Sequence, residues 1–186
     1  MAHISHSITN AVATLKNGGI IAYPTEAIYG LGCDPLNTSA VKQLLKIKQR
    51  KKEKGLILIA ASMEQLTPYL QNMNEETRQR VLSGWPGPTT WLLPAKPEVP
   101  ELLRGNHNTI AVRVTNHPLV KQLCKQWGSA LVSTSANLSG QAPALSAAQV
   151  EQTFNGNIDF ILDGDIGDQQ QPTQIRDGQT GKIIRH

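Results

Sequence analysis

GLILIAA, residues 55–61, is the stretch on which the fold turns. A continuously apolar run of this length reads as a strand buried on both faces, the kind found in α/β sheets rather than in half-exposed hairpins. Upstream, Thr38 or Ser39 is placed to cap a helix through AVKQLLKIKQ, with Val41, Leu44, Leu45 and Lys48 stacked on neighbouring turns. Downstream, SMEQL (62–66) has a capping-box pattern, Ser62 with Gln65. The same alternation runs along the rest of the chain. GIIAYP (19–24) reads as a strand after a helix that stops at Gly18-Gly19, and a polar helix is expected over 74–83. TTWLLPA (89–95), TIAVRV (109–114), ALVSTS (130–135) and IDFILD (158–163) read as strands, and the final KIIRH as a short one. HPLVKQLCKQWG (117–128) reads as a helix stopped by glycine, and Ser146 with Gln149 opens another.

Alternating strands and helices predict an α/β fold with a partly parallel, twisted sheet. Residues 1–186 are expected to form one domain, since no repeat or linker interrupts the pattern. Long Gly- and Pro-rich loops are expected at 24–38, 84–89, 94–108, 135–146 and 164–181, where a rigid frame commonly carries a site. MAHISHSITN has neither the cationic start nor the apolar core of a signal peptide. Cys33 and Cys124 stand far apart and outside any C-x-x-C pair. A reduced, cytoplasmic protein is expected.

Charge is concentrated. Residues 46–54 hold six basic side chains and one acid, while the rest of the chain holds twelve basic and thirteen acidic residues. A near-neutral body with one cationic segment points to a local anion or to nucleic-acid phosphates, against the plainer reading of a solvated lysine run. Neither G-x-x-x-x-G-K-[ST] nor a post-strand G-x-G-x-x-G is present, and no G-x-S-x-G elbow supports a hydrolase. The five histidines lack metal-ligand spacing, so no protein-held metal is expected. DGDIGD (163–168) reads as a turn, with Mg²⁺ binding as the alternative. Three loops stand out instead: YPTEAIYGLG, WPGPTT and STSANLSG. Their hydroxyls, amides and glycines suit phosphate or carboxylate oxygens.

Together with LKIKQRKKEKGLILIAA, IAVRVTNHPLV and QIRDGQTGKIIR, these stretches resemble the YrdC-like family in its short bacterial form, from about residue 10 to the C-terminus. The resemblance implies a single YrdC-like domain whose twisted mixed sheet, flanked by helices, surrounds a concave basic cleft. It also implies a nucleotidyltransferase activity that makes L-threonylcarbamoyladenylate and pyrophosphate from L-threonine, CO₂ or bicarbonate, and ATP. Mg²⁺ would travel with the ATP. The product would serve N6-threonylcarbamoyladenosine modification of tRNA next to the anticodon, directly or through the partner proteins TsaB, TsaD and TsaE. The family's K-x-R and S-x-N signature lands on Lys48, Arg50, Ser135 and Asn137, which the resemblance makes the catalytic set and the nucleotide's phosphate contacts. Thr89 or Thr90 and Arg185 join them on the ATP side. Thr25, Tyr29, Arg113, Ser133 and Thr173 would surround the threonine. The chain departs from the commoner family pattern at Ala27, Lys51, Thr115 and in QIRD.

The chemistry implied needs reactants brought together and charge neutralised, with no protein nucleophile. That suits a chain without triads or carboxylate dyads. The competing expectation is a non-catalytic RNA-binding module for tRNA, double-stranded RNA or ribosome maturation. An aromatic content of 4 % and no stacking residues in the basic stretch weigh against it.

Overall fold

The apolar run forms a strand, Ile57–Ala60, inside a ten-stranded mixed sheet. The computed structural model describes residues 2–169 and 173–185. In chain order the strands are β1 (His3–Ser5), β2 (Ile21–Pro24), β3 (Tyr29–Gly32), β4 (Ile57–Ala60), β5 (Thr89–Pro94), β6 (Thr109–Val114), β7 (Leu131–Ser135), β8 (Phe160–Leu162), β9 (Gln174–Asp177) and β10 (Ile183–Arg185). The helices are α1 (Ile8–Lys16), α2 (Thr38–Ile47), α3 (Glu75–Ser83), α4 (Glu101–Arg104), α5 (Pro118–Trp127) and α6 (Ala147–Phe154). Shorter 3-10 helices occupy Lys52–Lys54 and Glu64–Tyr69. The spatial order is β1-β8-β2-β3-β7-β4-β6-β5-β9-β10. β4 runs parallel to β6 and antiparallel to β7, so the sheet is mixed, as expected.

Side chains alternate across a strand, so paired rows define two faces. One carries Leu31, Leu58, Val112 and Val132, packed with Val41 and Leu44 of α2 and with Val150 and Phe154 of α6. The other carries Ile21, Tyr23, Ile59 and Leu131, packed with Val12 and Leu15 of α1 and with Val120 and Leu123 of α5. Each such side chain contributes about 1.5–3 kcal/mol when fully buried. On the second face the helices stop short. The row through Leu131 continues along β7 into Ser133 and Ser135, and Ser133 pairs with Ile57. Those three residues line a cavity instead of a helix. The change from apolar to hydroxyl side chains along a single strand marks where the core ends and the site begins.

Several local expectations are corrected. Asn37, not Thr38 or Ser39, caps α2: its Oδ1 accepts from Ala40 N at 3.1 Å. Gln65 does not complete a capping box. Its Oε1 accepts from Ala61 N and its Nε2 donates to Cys124 O, each at 2.8 Å, tying the 3-10 segment to α5. Three strands lie where loops or nothing were expected: β1, β3 within 24–38, and β9 within 164–181. The stretch 94–108 contains the one-turn α4. The helix after Ser146 forms as expected, with Ser146 Oγ accepting from Gln149 N at 3.3 Å.

Gly105 ends α4 with φ +67°, and a Cβ there would sit 2.3 Å from Glu53 O. We expect Gly105→Ala to destabilise the fold by at least about 2 kcal/mol, from strain and the backbone clash together. Denaturant unfolding checks this, and an unchanged midpoint would contradict the close packing of α4 against residues 52–55.

Candidate functional site

The helix carrying the basic stretch does not run through it. α2 ends at Ile47, Lys48 is its C-cap, and Gln49 takes a left-handed φ of 50°. Arg50 N then donates back to Leu45 O at 3.0 Å. The turn sends Lys48 and Arg50 to different places. Lys48 is buried, 4 % exposed. Its Nζ donates to Ser135 O, to Asn137 O at 2.8 Å and to Asn137 Oδ1 at 3.2 Å. Ser135 Oγ also donates to Asn137 Oδ1, at 2.6 Å. The K-x-R and S-x-N motifs, 87 residues apart in sequence, are therefore hydrogen-bonded to each other. Burial pushes the Lys48 ammonium down to about 8, with the Arg50 charge acting in the same direction.

Arg50 takes the other path. Its Nε and Nη2 donate to Gly55 O at 3.3 and 3.0 Å, and it lines a cavity of about 270 Å³. Arg113 and Arg185 line the same cavity, and so do the hydroxyl residues Thr25, Ser133, Thr134, Ser135 and Thr173. Ala27, Ile28, Leu56 and Pro143 supply apolar wall, and Gly30 contributes backbone. Three arginines line the space, and among the described residues no carboxylate does. Burial lowers the pKa of Arg50, and the nearby Arg185 charge lowers it further. Two cations held this close suit an anionic ligand.

Seven of the twelve expected site residues thus line one cavity: Thr25, Arg50, Arg113, Ser133, Ser135, Thr173 and Arg185. Lys48 and Asn137 stand behind it and build the turn that carries Ser135. Thr90 is fully buried, with its Oγ1 3.2 Å from Thr173 Oγ1, so it reaches the cavity through Thr173. Thr89 is half-buried, and its carbonyl accepts from Trp85 Nε1 at 2.8 Å. Tyr29 is buried, and its hydroxyl donates to Gly164 O at 2.6 Å. Burial pushes that phenol up to about 12.

Sequence reasoning missed Glu26. Its side chain is 9 % exposed, and its Oε2 lies 3.4 Å from Arg113 Nη2, whose side chain is 7 % exposed. Glu26 Oε1 accepts from Thr115 Oγ1 at 2.7 Å and from Asn116 N at 3.3 Å. The stretch 163–168, read from sequence as a turn, straps this corner. Gly167 N donates to Thr25 O at 2.9 Å, and a Cβ on Gly167 would lie 2.7 Å from Glu26 O. Arg113 Nε is buried without a hydrogen-bond partner among the described residues. The only sequence signal for Glu26 was its place inside YPTEAIYGLG.

The domain family Sua5/YciO/YrdC, described as telomere recombination, matches residues 13–186. Threonylcarbamoyl-AMP synthase of Klebsiella pneumoniae is 51 % identical over 183 residues, covering 97 % of this chain and 96 % of that protein. The Nitrosococcus oceani protein of the same name is 50 % identical, covering 94 % and 95 %. Among solved structures, P. abyssi Sua5 complexed with L-threonine superposes with a TM-score of 0.86 at 31 % identity, covering 95 % of this chain. The chain spans about half of that longer protein, 53 %. E. coli YciO gives a TM-score of 0.86 at 27 % identity, covering 100 % of this chain and 96 % of YciO.

The buried ammonium gives a pH signature. Lys48 titrates near 8 in the fold against 10.5 ordinarily, so below about pH 8 both states are charged and the burial penalty is complete. Between those values the unfolded chain binds more protons, and the contribution of this group to stability rises with pH. We expect the wild type to gain unfolding free energy relative to Lys48→Met between about pH 7.5 and about 9.5. Denaturant titrations at both values decide it, and parallel profiles would refute the shift.

Proposed function

The chain belongs to the Sua5/YciO/YrdC family, and we infer that it is a threonylcarbamoyl-AMP synthase, joining L-threonine, CO₂ or bicarbonate, and ATP into L-threonylcarbamoyladenylate and pyrophosphate. The observation that carries this is the cavity itself, lined by three arginines and five hydroxyl residues and, among the described residues, by no carboxylate. Such a lining fits two anionic reactants and offers no base–nucleophile pair for covalent catalysis. Among the described residues its lining also holds no aromatic side chain, which disfavours reading the cavity as a platform for stacked RNA bases.

We assign the threonine carboxylate to Arg113, whose buried Nε has no hydrogen-bond partner among the described residues. Glu26 fixes that guanidinium from behind, and Thr115 fixes Glu26. Ser133, Thr25 and Thr173 surround the amino acid, and Tyr29 supports them through the Gly164 backbone. We assign the triphosphate to Arg50 and Arg185, with Ser135 beside them. Lys48 and Asn137 act by holding the Ser135 turn, while Thr90 and Thr89 shape the wall behind Thr173. An arginine fork grips two oxygens at once, which orients a reactant as well as neutralising it. The threonine amine adds to CO₂, a carbamate oxygen attacks the α-phosphorus, and pyrophosphate leaves. Mg²⁺ would ride on phosphate oxygens and water, because the lining supplies no carboxylate to hold it. We place the whole reaction in one domain, residues 1–186, acting in the cytoplasm. The threonylcarbamoyl group would pass to the tRNA adenosine beside the anticodon through TsaB, TsaD and TsaE.

Pyrophosphate release from ATP should require both L-threonine and bicarbonate, and release independent of threonine would overturn the reading. Arg113→Lys, which keeps a cation beside Glu26 but loses the bidentate fork, should raise the threonine KM about tenfold with little change for ATP. Arg50→Ala should show the reverse split. Steady-state kinetics on both variants would expose a wrong assignment of the two ends of the cavity.

A further inference from the structure

Outside the cavity lies an open groove of about 540 Å³, lined by Lys42, Lys46, Arg50, Lys51 and Lys52. Lys42 and Lys46 are one turn apart on α2, a like-charged spacing that by itself weakens a helix. The left-handed residue Gln49 then folds Lys51 and Lys52 back against the same groove. All four lysines are exposed, and among the described residues none makes an ion pair. Glu53, the sole acid of the segment, is not in the lining. A turn that gathers unneutralised cations in this way has prepared a field for a polyanion.

Arg50 identifies which one. It lines both the cavity and the groove, so this one residue borders the two spaces. Resting on the synthase reading above, the bond formed joins a carbamate oxygen to the α-phosphorus. The bond broken is the one to the β-phosphate oxygen, which departs with the electron pair as pyrophosphate. In-line displacement sends that leaving group away from the attacking carbamate, and hence away from the threonine end at Arg113. We propose that the groove formed by Lys42, Lys46, Lys51 and Lys52 is a pyrophosphate site, receiving the β- and γ-phosphates of ATP past Arg50 and guiding the released product outward. Its ligand class is a short inorganic oligophosphate, held by mobile point charges rather than by a rigid fork.

The test uses the full-length triple variant K46A/K51A/K52A, which leaves Lys48 and Arg50 intact and changes only exposed side chains. Calorimetry with inorganic pyrophosphate and with AMP separates the groove from the cavity, and product inhibition by pyrophosphate gives a kinetic readout. Three exposed charge contacts, each worth a few-fold, predict about tenfold weaker pyrophosphate binding and inhibition, with AMP affinity unchanged. The difference should shrink as salt rises. Wild-type pyrophosphate affinity in the variant would overturn the proposal, and so would equal losses of pyrophosphate and AMP. A loss confined to tRNA binding would assign the groove to RNA and likewise overturn it. Failure of the wild type to bind AMP while pyrophosphate binding still depends on the lysines would sink the synthase reading and leave the groove standing.

Discussion

Lys48 Nζ sits where the end of α2 meets the turn after β7, donating to Ser135 O, Asn137 O and Asn137 Oδ1. The Asn137 amide is used on its other side too, with Nδ2 donating to Leu138 O at 3.0 Å and Gln141 O at 2.8 Å. The same loop is stitched to β3: Ala136 N donates to Tyr29 O, Ala144 N to Ala136 O, and Tyr29 N to Ala144 O, all at 2.8–2.9 Å. One ammonium therefore anchors the turn that presents Ser135, while the loop it steadies brings Pro143 to the cavity wall. Without it, the part-buried Ser135 and Asn137 carbonyls would lose this donor. Burial, and after it the neighbouring Arg50 charge, lowers the ammonium's pKa, so holding this cation here has a desolvation cost. A Lys at this position is an expensive way to fix a turn, and the cost is understandable only if the turn must be held in one geometry.

The same logic applies at the Arg113 end, proposed above for threonine. Glu26 and Arg113 form a nearly dry ion pair. Such pairs commonly give little net stability, yet removing one partner is severe because it strands the other charge. Thr115 and Asn116 N share the second carboxylate oxygen. The Arg113 guanidinium therefore cannot swing into the cavity freely. It presents a fixed edge, which is what differential recognition of a planar carboxylate needs.

The α/β alternation, six of the internal strands and the capped helix at Ser146 were legible because each carries either an apolar run or a specific cap. β3 was not: YGLG has two glycines and follows a proline and a hydroxyl, so it reads as a loop, and only pairing with β2 and β7 makes it a strand. β9, QIRD, is polar and half-buried throughout, and its strand state comes from lying parallel to β5. In the site, motif spacing pointed to residues that do converge, but not to how they divide the work. Lys48 and Arg50 are two positions apart and looked like one phosphate grip. A single left-handed residue between them puts one under the floor and the other in the wall. Glu26 stayed hidden because a carboxylate inside a hydroxyl-rich loop gives no sign of which cation it will meet.

The division between rigid and mobile charge follows from what each end of the cavity must do. Arg113 is locked by Glu26, and Arg50 is tethered to Gly55 O with the rest of its fork left over. Beyond Arg50 the cations are exposed lysines with no ion-pair partner among the described residues. Fixed guanidiniums suit the two groups that must be aligned for attack, since a misplacement of about 1 Å costs orders of magnitude in rate. Hydrated, flexible ammoniums suit a group that must be neutralised and then released, because their weak, screened contacts do not trap it. Stiffness falls along the path from Arg113 past Arg50 to the surface, the order in which the proposed reaction needs its partners held and then let go.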